Sequence, residues 1–356
     1  MKSEKLKAAL ILQDGTVFHG NGFGASAISQ GELVFNTSMT GYQEALTDPS
    51  YGGQILLMTY PLIGNYGIND TDFESKKIHP QGFVVRSCSF DAEHRTCSSY
   101  LDDFLKQNNT PGIYGIDTRQ IVRRIRNHGV VPSAIATYTD TLDIEKIKKD
   151  LESFDYSGVD FVKNACVKKP QIYGKGRKIV LIDYGAKMGI VRDLVARNCE
   201  VHVLPATSSA EEVGSLEPEG IMLSNGPGDP AVPTYAHKTI AELGGSCPIF
   251  AICLGHQLIA HAYGGSTKKL KFGHRGSNHA VIDILTQKIS ITTQNHGFAV
   301  DKIPDGFDLS HINLNDKTVE GMCNKNKAII SVQYHPEAAP GPHDSKYLFD
   351  EFLKMI

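Results

Sequence analysis

The 356-residue sequence has no long block of like charge. Its 36 lysines and arginines stand against 39 aspartates and glutamates, a formal net charge of −3. Nothing here builds the basic stripe that a nucleic acid or an anionic membrane surface requires. No apolar stretch approaches the ~18 residues of a membrane span. The short run Ala8–Leu12, with lysines at 2, 5 and 7 around its start, is too brief for a signal-peptide core. Gln13-Asp14-Gly15 follows it at once, so it reads as a strand and a turn. Cys-x-x-Cys pairs are absent too. The seven cysteines, at 88, 97, 166, 199, 247, 253 and 323, are odd in number and scattered. That argues against a disulfide framework and against a metal site, and for reduced thiols in a cytoplasmic protein. No Gly-x-x-x-x-Gly-Lys-Ser/Thr loop, internal repeat or low-complexity tract occurs, so a phosphate-cradling nucleotide site is not expected on this chain.

What is present is ordinary globular composition, 41% hydrophobic and 21% charged, in a chain long enough for two cores. Residues 1–155 read as a strand-rich β/α domain. Lys7–Leu12 and Thr16–His19 flank the turn Asp14-Gly15, and Glu32–Asn36, Gln54–Thr59 and Gly82–Arg86 are further strands. Helices are expected over Ser98–Asn108, Arg119–Asn127 and Ile144–Ser153. The second carries arginines at 119, 123, 124 and 126, a solvated or partner-facing surface rather than a phosphate site. Residues 156–177 lack periodicity and read as a linker. From 178 to 356 strands alternate with helices: Lys178–Ile182, helix Lys187–Asn198, Glu200–Leu204, Gly220–Leu223, helix Pro233–Leu243. That texture implies an open, mainly parallel sheet with helices on both faces. Shorter strands (Ala280–Ile284, Ile289–Thr293, Leu309–Asn313, Ile329–Gln333) and a helix over Ser345–Met355 close the chain.

The second domain is organised around Cys247–Gly265. Pro248–Ile252 is apolar, as befits a strand buried on both faces. Cys253 follows, and the helical pattern of Leu258, Ile259 and Ala262 begins directly after it. A cysteine on a sharp strand-to-helix turn is the thiol counterpart of a nucleophile elbow. The helix N-terminus also favours a thiolate. Taken alone, Cys253 reads equally as a buried structural cysteine.

Two further stretches bear on it. The strand Ile329–Gln333 delivers Tyr334-His335-Pro336-Glu337. In extended backbone, His335 and Glu337 point to the same side, with Pro336 holding the residue between them extended. A histidine can take a thiol proton, and a carboxylate can fix its tautomer. The segment Ser224–Pro230 follows another apolar strand, and Gly226 and Gly228 leave backbone N–H groups uncovered, suited to an oxyanion. Its second donor would be the N–H of Leu254. Each stretch alone reads as a turn. Three strand ends of one α/β domain together favour acyl transfer through a thioester.

Cys253-Leu-Gly-His-Gln257, Ser224–Pro230 and His335-Pro-Glu337 resemble the class-I, triad-type glutamine amidotransferases. Asn36–Glu44, Thr47–Tyr51, Tyr60–Asn65, Gly115–Arg119, Lys271–His274, Gln294–Phe298 and Glu337–Asp344 are similar to the small-subunit family of carbamoyl-phosphate synthases. Departures are mild: Ala251 where glycine is usual, and Ala339 where serine is common. The resemblance implies that Cys253 attacks the side-chain amide of L-glutamine, with His335 as base and acid and Glu337 orienting it. It also implies that Gln257, Asn295, Gly297, Phe298, Leu254, Gly226, Gly228 and Ser50 hold the glutamine. Ammonia would pass to a large synthetase subunit, the partner that binds ATP and magnesium and consumes bicarbonate, for arginine or pyrimidine biosynthesis. No cofactor is expected on this chain itself. A stand-alone cysteine hydrolase of γ-glutamyl substrates would use the same chemistry without a partner; a non-enzymatic regulatory subunit would not retain Cys253, His335 and Glu337 together.

Overall fold

A computed structural model describes residues 6–356, so lysines 2 and 5 lie outside the described residues. The chain forms two compact units, Met1–Gly158 and Val159–Ile356. No helix among the described residues is long and apolar enough to cross a membrane.

The first unit contains a closed barrel of seven strands. In chain order its strands are β1 (Lys7–Leu12), β2 (Val17–Gly24), β3 (Ile28–Asn36), β4 (Gln54–Met58), β5 (Leu62–Ile63), β6 (Gly82–Val84), β7 (Ser87–Cys88), β8 (Pro111–Tyr114) and β9 (Val131–Tyr138). The barrel runs β1-β2-β8-β6-β4-β3-β9 and closes by β9 on β1, while β5 and β7 pair separately. The hairpin at Asp14-Gly15 forms as expected, with Ile11 opposite Val17. Ala9, Ile11, Ala134 and Ala136 face one way by strand alternation and cover Ile147 and Leu151 of the helix Ile144–Glu152. On the helix Thr118–His128, Ile121 and Ile125 are buried while Arg119, Arg123 and Arg126 are exposed. Arg124 reaches Asp14, its Nε 3.0 Å from Oδ2.

The second unit is one ten-stranded sheet in the order β10-β12-β11-β13-β14-β19-β18-β17-β15-β16. Its strands are β10 (Gln171–Gly174), β11 (Arg177–Asp183), β12 (Cys199–Pro205), β13 (Gly220–Leu223), β14 (Ile249–Ile252), β15 (Ser266–Asp283), β16 (Ile289–Lys302), β17 (Asp308–Asn313), β18 (Val319–Asn324) and β19 (Ile329–Val332). From β12 to β19 the five central strands are parallel, as the alternating texture predicted. β18, β17, β15 and β16 continue the sheet antiparallel. β13, β14 and the inner residues of β11 are buried on both faces, which explains their continuous apolar runs, whereas β12 alternates with Glu200 and His202 half-buried. Val180, Ile182, Ile221 and Leu223 pack on Ile240, Leu243, Leu258 and Ile259. The alternate residues Ile179, Leu181, Met222 and Phe250 pack on Ile190, Leu194, Phe349 and Phe352.

Residues 156–177, read as a linker, carry the short helix Val162–Ala165 and the edge strand β10, antiparallel to β12. Lys268 to Asn278 also differ from expectation. They belong to β15, an 18-residue strand paired with β16 through three register shifts. Its lysines and glycines mask it, because exposed and buried residues come in blocks along it and do not alternate.

Candidate functional site

The centre of the second unit is the turn between β14 and the helix Leu254–Ala262. Cys253 sits on that turn with φ 52° and ψ −102°. A positive φ at a residue bearing a Cβ costs on the order of 1–3 kcal/mol and persists only where its surroundings impose it. Here they do. The Cys253 N–H donates to Val332 O at 2.8 Å, tying the turn to β19, and Gly255 N–H donates to Ser224 O at 3.0 Å, tying the helix start to the end of β13. A Cβ on Gly255 would lie 2.6 Å from Leu223 O, so only glycine lets the helix start this close to the sheet. Ala251, the departure noted above, is buried within β14 and lets its Cβ pack in the core.

His335 lies just past β19. Its N–H donates to Thr293 O at 2.9 Å, and its Nδ1 is 2.6 Å from Glu337 Oε1. Both side chains are fully buried. This pairing takes up Nδ1 and leaves Nε2, which has no hydrogen-bond partner among the described residues. Burial would lower the His335 pKa, but the Glu337 carboxylate and then the Cys253 sulfur outweigh it and drive it up. Glu337 moves the other way: burial would raise it, and Lys187 and His335 together hold it well below the usual carboxylate range. Both shifts favour an imidazolium beside a carboxylate.

Lys187 is the residue that sequence reasoning missed. Its Nζ is 3.1 Å from Glu337 Oε1, with side chains 3% and 0% exposed, and it also donates to Ala338 O. It stands at the N-cap of the helix Met188–Val195. A cation there opposes the helix dipole, and that unfavourable placement in the sequence was the available signal. Its backbone N–H donates to Asn225 Oδ1 at 3.0 Å, joining the lysine to the glycine loop.

That loop leaves β13 through Ser224. Tyr184 N–H donates to Ser224 Oγ at 2.9 Å. Gly226 is pressed against the Tyr184 backbone, where an added Cβ would meet Tyr184 O at 2.2 Å. Gly228 takes φ +98°. Leu254 is the first residue of its helix, so its N–H has no intrahelical acceptor.

The remaining wall is β16. Asn295, Gly297 and Phe298 lie on it, and Asn295 O is 3.6 Å from Cys253 Sγ. Gln257 points from the helix to this strand, its Nε2 donating to Phe298 O at 2.7 Å and to Gln333 Oε1 at 3.0 Å. Cys253, Leu254, Gln257, Asn295, Phe298, His335 and Glu337 are thus buried on adjoining elements of one sheet. Ser50 belongs to the first unit. It is buried in the turn Pro49–Tyr51, its N–H donating to Asp48 Oδ1 at 2.9 Å.

Residues 10–135 match the family described as carbamoyl-phosphate synthase small chain, CPSase domain, and residues 180–355 match glutamine amidotransferase class-I. A carbamoyl phosphate synthase small chain of Clostridium perfringens is 49% identical, over 98% of this chain and 99% of its own. One from Methanocaldococcus jannaschii is 50% identical over 98% and 99%, and one from Thermus thermophilus 46% over 100% and 95%. Identity at this level runs across both units, so the cysteine turn and the barrel are matched together. The chain belongs to the carbamoyl-phosphate synthase small-chain family and carries that family's N-terminal domain ahead of a class-I glutamine amidotransferase domain.

Proposed function

We propose that this chain is the glutaminase subunit of a two-chain carbamoyl-phosphate synthase, releasing ammonia from L-glutamine for a large synthetase chain. The observation that carries the reading is the pairing of a strained, buried Cys253 with a buried His335–Glu337 ion pair across the ends of two adjacent parallel strands. The Cys253 sulfur attacks the carboxamide carbon of glutamine. Negative charge moves to the amide oxygen, where the N–H groups of Gly226 and Leu254 receive it; one such donor is worth about 10²–10³ in rate. The tetrahedral species collapses as the C–N bond breaks, and the imidazolium of His335 gives its proton to the departing ammonia. Water then attacks the thioester, His335 takes its proton, and the C–S bond breaks to release glutamate and restore the sulfur. Glu337 keeps Nδ1 occupied, so Nε2 does both transfers.

Gln257, Asn295, Gly297, Phe298 and Gly228 orient the substrate's amino-acid end in this reading. Ammonia released into water would protonate and diffuse away, so a bound partner receives it and uses ATP and bicarbonate. Relatives matched over nearly their whole length support a partnered subunit over a stand-alone γ-glutamyl hydrolase. The test is glutamate release from glutamine by the purified chain, with and without the large chain. Release should occur and should rise when the large chain and its ATP and bicarbonate are present. No glutamate under either condition would overturn the proposal.

A further inference from the structure

Gln333 is fully buried between β19 and the His335 turn, and the triad chemistry assigns it nothing. Its backbone N–H is spent on Glu320 O at 2.9 Å. Its side-chain amide lies between two groups that matter: Oε1 accepts from Gln257 Nε2 at 3.0 Å, and Nε2 is 3.7 Å from Cys253 Sγ.

The orientation of this amide is determined step by step from a backbone group that cannot turn round. Phe298 O can only accept, so the Gln257 end facing it must be the NH2 group, 2.7 Å away. That same NH2 faces Gln333, so the near end of Gln333 must be its oxygen. The far end is then an NH2 directed at the sulfur. Flipping either amide would set donor against donor or acceptor against acceptor in a buried site, where an unmade bond costs ~1–3 kcal/mol. The sulfur meets an acceptor on its other side, Asn295 O at 3.6 Å. An S–H can donate to that carbonyl, and a sulfur anion can accept from Gln333.

We propose that Gln333 is a hydrogen-bond donor to the Cys253 sulfur, held in the donating orientation by Gln257. The inference rests on Cys253 being the nucleophile. Donation to a charged sulfur is stronger than to a neutral thiol. Gln333 therefore acts where the sulfur carries charge: before attack, and again when the C–S bond of the thioester breaks and its electron pair returns to sulfur. Because Gln257 also belongs to the proposed glutamine wall, the amide chain links the substrate side of the pocket to the nucleophile.

The experiment uses the full chain with its large chain, as wild type, Gln333→Met and Gln333→Glu. Methionine keeps the length and removes the donor; glutamate keeps the shape and, when ionised, offers only acceptors. Three quantities are read: the rate of alkylation of Cys253 by iodoacetamide at pH 7.5, and kcat and KM for glutamine. Expected are alkylation slowed about tenfold in Gln333→Met and more in Gln333→Glu, with kcat down about 10–100-fold and KM within about threefold, the scale of one charge-assisted hydrogen bond. A loss confined to KM, or alkylation in either folded variant within about twofold of wild type, overturns it. If Gln333→Met does not fold, Gln333→Glu decides alone, being nearly isosteric. Alkylation needs no glutamine, so a wild-type chain that released no glutamate would refute the proposed function while the alkylation comparison still judged Gln333.

Discussion

Lys187, Glu337 and His335 form a row of three charges with almost no water around them: the lysine and glutamate side chains are 3% and 0% exposed and the histidine 1%. Removing one member of such a row leaves a buried charge uncompensated, which costs ~3–5 kcal/mol when the partner is a full ion pair. In Lys187→Met the imidazolium still faces Glu337, so about 3 kcal/mol is expected, read as a shift in the urea midpoint at pH 7. The dependence on pH follows from the Glu337 shift. Its folded pKa is depressed below the ordinary 4.5, with burial opposing and Lys187 the largest favourable cause. A depressed carboxylate adds stability above its unfolded value and loses it as pH falls through the folded one. The gap between wild type and Lys187→Met should therefore be full above about pH 4.5 and close on further acidification. A gap that stayed constant down to pH 3 would show that Lys187 acts through packing rather than through Glu337.

At the scale of elements, the site depends on how closely one helix approaches one strand. Gly255 fixes that approach, since a Cβ there would meet the Leu223 carbonyl oxygen at 2.6 Å and Leu223 Cβ at 2.9 Å. Gly255→Ala should push the helix Leu254–Ala262 off β13, costing ~1–3 kcal/mol of stability as overpacking does. It should also displace the Leu254 N–H and lower kcat for glutamine by about 10²-fold, the worth of one oxyanion donor. A variant with wild-type kcat would exclude Leu254 from that role. The same elements show what was legible in the sequence. β11, β13, β14 and β19 announce themselves because strands buried on both faces must be apolar throughout, and the cysteine turn follows from the abrupt change to helical spacing after Ile252. β8 and β9 of the barrel, β18 with Gly321, and the first half of β15 carry no strand pattern of their own. They mix glycine, proline and charge with apolar residues, and only their neighbours in the sheet make them extended. The site divides likewise. Cys253 and the His335–Glu337 pair lie in local patterns that carry their own chemistry. Lys187 and Gln333 act through partners 150 and 80 residues away in the chain; a cation at a helix start hints at Lys187, but no local pattern names either residue's partner.

For the whole molecule, the proposal divides one reaction between two chains, and that division can be tested apart from the site's details. Cys253 is nearly fully buried, small, and on a turn already held by Val332 O and Ser224 O. Cys253→Ala removes one sulfur and leaves those backbone bonds in place, so the mutant should fold and should still assemble with the large chain. Glutamine-dependent carbamoyl phosphate synthesis should then vanish. Synthesis from added ammonia should persist at close to its wild-type rate, because every step that consumes ammonia belongs to the partner. The two activities are measured side by side on the same assembled complex, with size-exclusion chromatography confirming that it has formed. Loss of both in an intact complex would mean that this chain does more than supply ammonia. Retention of both would mean that another group cleaves the amide.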